Sequence, residues 1–179
     1  MTRIAPGDIL TRMVDLHGNR VLSAQVSGLY TAVHAGAPMR PQAWVEAMPG
    51  VGISGDRYAT GRGHWSDPRW PDQEVTLVEG EVAEDLAVDA GQLRRNIVTR
   101  GVRLNDLIGL TFQIGGVRLV GVRCCAPCRY LDSLTRPGLR HALRERGGLR
   151  THILQGGRIH VADRMTTVRS SDMDHLLSR

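Results

Sequence analysis

Thr111-Phe112-Gln113-Ile114-Gly115-Gly116-Val117-Arg118-Leu119-Val120-Gly121-Val122 is the stretch whose reading decides the fold class. Two short apolar-rich runs, 111–114 and 118–122, flank a Gly-Gly pair. Glycine reaches the positive φ values that a tight hairpin turn demands, so the segment reads as a β-hairpin. Downstream, 151–154 and 158–162 flank Gly156-Gly157 in the same way and read as a last hairpin or strand pair. Upstream, 20–26, 28–33, 74–78 and 97–99 are further short strands. Two stretches break this rhythm. In 79–90, Val78, Val82 and Leu86 recur every four residues while Glu81, Glu84 and Asp85 lie opposite, the mark of an amphipathic helix with Gly91 as its stop. In 137–146, proline opens and Gly147-Gly148 closes a second helix. The segment 104–109 is a turn of short helical character. The glycine-punctuated 50–57 is a tight loop, and 61–72 is an exposed one. Residues after Thr167 fray or form a small terminal helix. Many short strands with two helices predict a mainly β domain, a closed or nearly closed β-barrel with the helices packed outside, since closure removes exposed strand edges.

Composition narrows the function. The chain has 179 residues, enough to bury a core as one domain over 1–179. No apolar run is long enough to span a bilayer, and the N-terminus has no apolar signal region. All 23 basic residues are arginine, so no lysine side chain is present to form a Schiff base with pyridoxal phosphate. Arginine's planar fork suits phosphate and carboxylate, and the net charge of +5 favours an anionic ligand. An aromatic content of 4% leaves few stacking platforms and disfavours nucleic acid as the partner.

All three cysteines fall in Arg123-Cys124-Cys125-Ala126-Pro127-Cys128. Clustered thiols in a chain without a disulfide framework suit a reducing cytoplasm. Thiolate is both the nucleophile and the metal-ligand form of cysteine, so the cluster points to a bound metal or a carried sulfur atom. A closed zinc site needs four ligands, and there is no second Cys-x-x-Cys. Three small buried residues in the barrel wall are the plain alternative.

One ordered set of motifs ties these pieces together: Gly-Ile-Ser-Gly-Asp-Arg at 52–57, Val-Thr-Leu-Val-Glu at 75–79, Arg-Arg-Asn-Ile-Val at 94–98, Ala-Pro-Cys at 126–128 and Gly-Gly-Arg-Ile-His-Val-Ala-Asp at 156–163. In this set the chain resembles the MOSC domain, named from the C-terminal domain of molybdenum cofactor sulfurases, and small stand-alone bacterial members in particular. The resemblance runs over about 21–164, leaving 1–20 and 165–179 as terminal extensions. It implies a β-barrel that binds molybdenum cofactor (molybdopterin). Cys128 matches the cysteine that ligates molybdenum, and it is the implied catalytic and metal-binding residue. Arg94 and Asn96 match an Arg-x-Asn pair near the pterin, Glu79 falls where an acid stands beside it, and Arg57 falls in the loop that meets the cofactor phosphate. Here arginine occupies the middle of the Arg-x-Asn pair, where proline is common, and glutamate stands for aspartate at 79. The implied activity is two-electron removal of oxygen from a small N-hydroxylated substrate, with electrons from a donor protein. The alternative is a sulfur carrier holding a persulfide on Cys128, supplied by a sulfur-donor protein. Either reading requires Arg57, Glu79, Arg94, Asn96 and Cys128 around one cleft, expected at a mouth of the barrel. Backbone N–H groups at Gly50, Gly52 and Gly55 are expected to approach the phosphate.

Overall fold

The computed structural model describes residues 21–70 and 72–167. Among the described residues there are eleven strands: β1 (Val21–Thr31), β2 (Arg40–Gln42), β3 (Trp44–Met48), β4 (Gly52–Ile53), β5 (Val75–Glu79), β6 (Ile97–Arg100), β7 (Thr111–Ile114), β8 (Val117–Cys124), β9 (Leu149–Gln155), β10 (Gly157–His160) and β11 (Arg164–Thr167). Three short α-helices accompany them among these residues: α1 (Gly80–Asp85), α2 (Arg129–Leu134) and α3 (Leu139–Ala142). Seven strands close a barrel in the order β11-β7-β8-β9-β5-β6-β1, with β1 pairing back onto β11. The closed, mainly β architecture is the one the strand pattern predicts. β2 extends β1, and β10, β3 and β4 form a separate small sheet.

The Gly115-Gly116 hairpin is present, with Ile114 opposite Val117. The second Gly-Gly pair does something else. β9 stays in the barrel beside β8 and β5, whereas β10 leaves it to pair with β3. Gly156 and Gly157 allow this departure: a Cβ on Gly156 would stand 2.6 Å from the Ala47 carbonyl, and Gly157 has φ +145°. The expected final hairpin is therefore a strand switch between sheets. The expectation for residues after Thr167 lies outside the described residues.

Apolar residues of alternating strand positions fill the barrel, among them Leu77, Ile97, Phe112, Leu119, Leu149 and Met165. A second apolar cluster lies on the other face of β5 and β6. There Val78 and Val98 pack against Val82, Leu93, Leu131, Leu139 and Leu143. β5 is thus buried on both faces, as befits a strand running parallel to its neighbour β6 beneath crossover helices.

Both predicted helices are shorter than their sequence patterns. α1 ends where Ala87 turns left-handed at φ 50°. Ala87 N–H then donates to the Glu84 carbonyl and Val88 N–H to that of Ala83, a Schellman closure built on alanine in glycine's usual place. Val88 and Ala90 pack onto the outer cluster as a result. α3 begins after Pro137, with Gly138 left-handed at φ 85° as its cap. Gly147 and Gly148 do not end α3, which stops at Ala142; they serve close approach instead. A Cβ on Gly148 would lie 1.9 Å from the Leu77 carbonyl, and one on Gly147 would lie 2.4 Å from that of Cys125.

Candidate functional site

Thr76 on β5 faces Arg150 on β9 in register. Their strand neighbours Val75, Leu77 and Leu149 point into the barrel, so Thr76 and Arg150 point out of it. They form the floor of a cavity of about 50 Å³. The site therefore stands on the outer wall of the barrel and not at its mouth. One wall is the loop after β4, with Arg57, Tyr58, His64 and Trp65. The other is the turn from β8 into α2, with Cys125, Ala126, Cys128, Tyr130 and Leu131. Arg94 and Arg95, just before β6, complete it, with Ala35 and Gln73.

Four guanidinium groups therefore line one cavity, and each is held differently. Arg57 forms a buried pair with Asp56, Nη1 to Oδ1 at 2.9 Å, and its Nη2 donates to the Arg94 carbonyl at 3.0 Å. Asp56 also accepts from the backbone N–H of Ala32 and of Tyr58. The Asp-Arg dipeptide is thus a buried brace between loops, although its sequence reads equally well as a surface pair. Arg95 is buried and donates only to backbone carbonyls: Nε to Gly147 at 2.8 Å, Nη1 to Leu93 at 3.1 Å and Nη2 to Cys125 at 3.0 Å. Arg94 takes a left-handed backbone, φ 59°, and sends Nη1 to the Ala37 carbonyl at 2.8 Å. Its Nη2 is buried without an acceptor. Burial, then the like charge of Arg57, lowers the Arg94 pKa. Arg150 donates through Nη1 to the Asp72 carbonyl at 3.1 Å and to Gln73 Oε1, leaving its buried Nε without an acceptor.

The thiols differ too. Cys125 is buried at 2% exposure, while Cys124 and Cys128 are half-buried. Cys128 caps the N-terminus of α2 and rests against the outer apolar cluster, with Cys125 across the turn on the same cavity. Cys124 does not line the cavity. Burial, then the neighbouring Cys125, pushes its thiol pKa up. Aromatic rings frame the cavity. His64 stacks on Tyr130 at 3.8 Å with planes 7° apart, and Trp65 meets His64 edge-on at 4.9 Å. Burial raises the pKa of Tyr58, keeping its phenol protonated as a donor.

Of the residues singled out in the sequence, Arg57, Arg94 and Cys128 meet on this cavity. Asn96 stands one layer behind. Its Oδ1 accepts from Thr76 Oγ1 at 3.0 Å, and its Nδ2 donates to the Tyr30 carbonyl at 3.3 Å, so it orients the floor instead of lining it. Glu79 lies outside the cavity lining, its carboxylate accepting from Leu104 N–H at 2.9 Å. Gly50, Gly52 and Gly55 also stay clear. Gly50 N–H is taken by the Glu74 carboxylate, and Gly52 lets the chain pass Glu74, whose carbonyl would stand 2.7 Å from an added Cβ. Sequence reading missed Tyr58, His64, Trp65, Thr76, Tyr130 and Arg150. A usable signal existed for the loop: in a chain so poor in aromatics, His64, Trp65 and Trp70 fall together in one aperiodic segment. Arg150 gave none, because an arginine in a strand pattern ordinarily faces water.

Among the described residues no group of three or more His, Cys, Asp or Glu side chains is placed to hold a metal ion. No helix among them is long and apolar enough to cross a membrane.

Comparisons agree with the fold. A family model described as the MOSC domain matches residues 70–166. Among solved structures, the YuaD protein from Bacillus subtilis is similar with a TM-score of 0.67 and 17% identity, over 84% of this chain and 100% of that one. YiiM from Geobacillus stearothermophilus gives a TM-score of 0.62 and 17% identity, over 82% of this chain and 75% of that one. YiiM from Escherichia coli gives 0.56 and 14%, over 81% and 70%. Among curated proteins no match is found.

Proposed function

The chain belongs to the MOSC domain family, and from that premise we propose that it binds a molybdenum cofactor with Cys128 as the protein ligand and reduces N-hydroxylated substrates by two-electron removal of oxygen. The observation that carries this reading is the single cavity shared by the half-buried Cys128 thiol and four guanidinium groups. The residues fit the group. Molybdenum accepts soft sulfur donors, and thiolate is the softest that a protein offers. The orphaned Arg94 Nη2 is a charged donor that a phosphate oxygen would satisfy, and Arg57 stands beside it. Arg57 and Arg94 would hold the phosphate and Cys128 the metal. Asn96 contributes indirectly, by fixing the Thr76 hydroxyl. Tyr58 holds a proton at its phenol oxygen, and the rings of His64, Trp65 and Tyr130 frame the site. Electrons would come from a donor protein.

The test is molybdenum and pterin analysis of protein expressed in a cofactor-competent host, as wild type and as Cys128→Ser. Serine is nearly isosteric with cysteine but a harder ligand. Stoichiometric molybdenum in the wild type and its loss in the variant, with amidoxime reduction lost in parallel, is the expected result. Molybdenum at background in both would overturn the reading.

The size of the cavity favours a second reading. About 50 Å³ accommodates a single extra sulfur atom, which suits a persulfide on Cys128 delivered to a cofactor or partner. Sulfane sulfur released from the wild type by cyanide, and absent from Cys128→Ser, would decide for it.

A further inference from the structure

Two of the guanidinium groups on the cavity carry a buried nitrogen without an acceptor: Nη2 of Arg94, before β6, and Nε of Arg150, on the β9 floor. Arg94 stands beside Arg57, whose Nη2 donates to the Arg94 carbonyl. Arg150 stands beside Gln73. The resemblance assigns nothing to the Arg150 end. Yet Arg150 is nine-tenths buried, lines the cavity and carries an Nε–H with no acceptor. An orphaned charged donor in a protein interior costs free energy that an anion would restore. No aspartate or glutamate lines the cavity to do so. The nearest carboxylates are committed: Asp56 to Arg57, and Asp72 to Arg123 through Nε at 2.5 Å. Tyr58 adds a protonated hydroxyl, and Thr76 is the register partner of Arg150.

We propose that the Arg150 end is a second anion subsite, one that takes a tetrahedral oxyanion of the phosphate type on Arg150 Nε and the Tyr58 hydroxyl. Size agrees with this occupant. About 10–15 Å³ is the least a cavity needs to hold one water, so about 50 Å³ leaves room for one small oxyanion. Rigidity agrees as well: Arg150 Nη1 is pinned by the Asp72 carbonyl and Gln73 Oε1, which holds the guanidinium plane in place before any ligand arrives. The inference rests on the cavity of the proposed function but is tested on cofactor-free protein, so its failure and the failure of the cofactor reading are distinguishable.

The experiment is calorimetric titration of cofactor-free full-length protein with inorganic phosphate, against sodium chloride at matched ionic strength. Saturable phosphate binding is expected, weakened about tenfold or more in Arg150→Met and about fivefold in Tyr58→Phe, the ratios of losing a charged and a neutral hydrogen bond. Tyr58→Phe removes one oxygen atom only and keeps the test open if Arg150→Met fails to fold. Phenyl phosphate in a second titration identifies the source: tighter binding than inorganic phosphate assigns the subsite to a phosphorylated substrate, and equal or weaker binding assigns it to the free anion. Phosphate binding no stronger than the chloride control, or unchanged in both variants, would overturn the proposal.

Discussion

Replacing Arg95 by methionine is the sharpest test of how the cysteine turn is held. The side chain is buried and gathers three backbone carbonyls, those of Leu93, Gly147 and Cys125. These belong to three segments: the entry to β6, the entry to β9 and the turn carrying the thiols. Methionine keeps most of the stem volume but strands all three acceptors. Each stranded buried acceptor costs about 1–3 kcal/mol, and a carbonyl tolerates partial satisfaction better than most groups, so the lower end applies. Removing the buried charge refunds part of its desolvation cost, which again argues for the lower end. The expected loss is about 3 kcal/mol, a large part of the roughly 5–15 kcal/mol that stabilises a typical domain. With a urea m-value of about 2 kcal/mol/M for a chain this size, the unfolding midpoint should fall by about 1.5 M. Under native conditions the same variant should expose Cys125, read as faster alkylation of that residue by mass spectrometry. Arg95→Lys should fall between, since an ammonium keeps the charge but not the planar fork. A change under about 1 kcal/mol, with Cys125 still protected, would refute the view that Arg95 holds this turn together.

Ala87→Gly should stabilise the protein by about 1 kcal/mol in urea unfolding, because Ala87 closes α1 in a left-handed conformation that glycine adopts without penalty. Among the thiols, Cys128 should alkylate first at neutral pH: Cys125 is buried, and the Cys124 thiol is pushed up by burial. Earlier labelling of Cys124 would overturn that order. Burial alone would raise the Asp72 pKa, but the hydrogen bond and charge of Arg123 outweigh it and hold the carboxyl below its ordinary 3.8. Its contribution to stability is therefore complete above that value and fades as pH falls through the lower folded pKa, so Asp72→Asn should flatten the acid limb of the stability profile. An equally steep limb in the variant would show that Asp72 carries no such linkage.

What the sequence by itself determined about this protein is local. The Gly115-Gly116 turn, the strand that became β5 and the apolar stripe of α1 follow from backbone freedom and side-chain periodicity, which need no distant partner. Barrel closure was legible as the sum of many short strands. The ordered motifs carried the family and brought Arg57, Arg94 and Cys128 to attention. Tertiary structure alone decided which side of each strand matters. Whether Arg150 points into the apolar barrel or out onto the cavity depends on the register of β9 against β5, and one residue of slip would exchange the two faces. It also decided between roles that look alike in sequence. Asn96 and Glu79 are polar residues in the expected motifs, yet one orients the Thr76 hydroxyl and the other holds the Leu104 backbone. Arg95, the residue between the two motif positions, gathers the carbonyls of the cysteine turn. A hydrogen bond is made with whatever group the fold brings within about 3 Å, and for Asn96, Glu79 and most of the Arg95 bonds that group comes from a distant part of the chain.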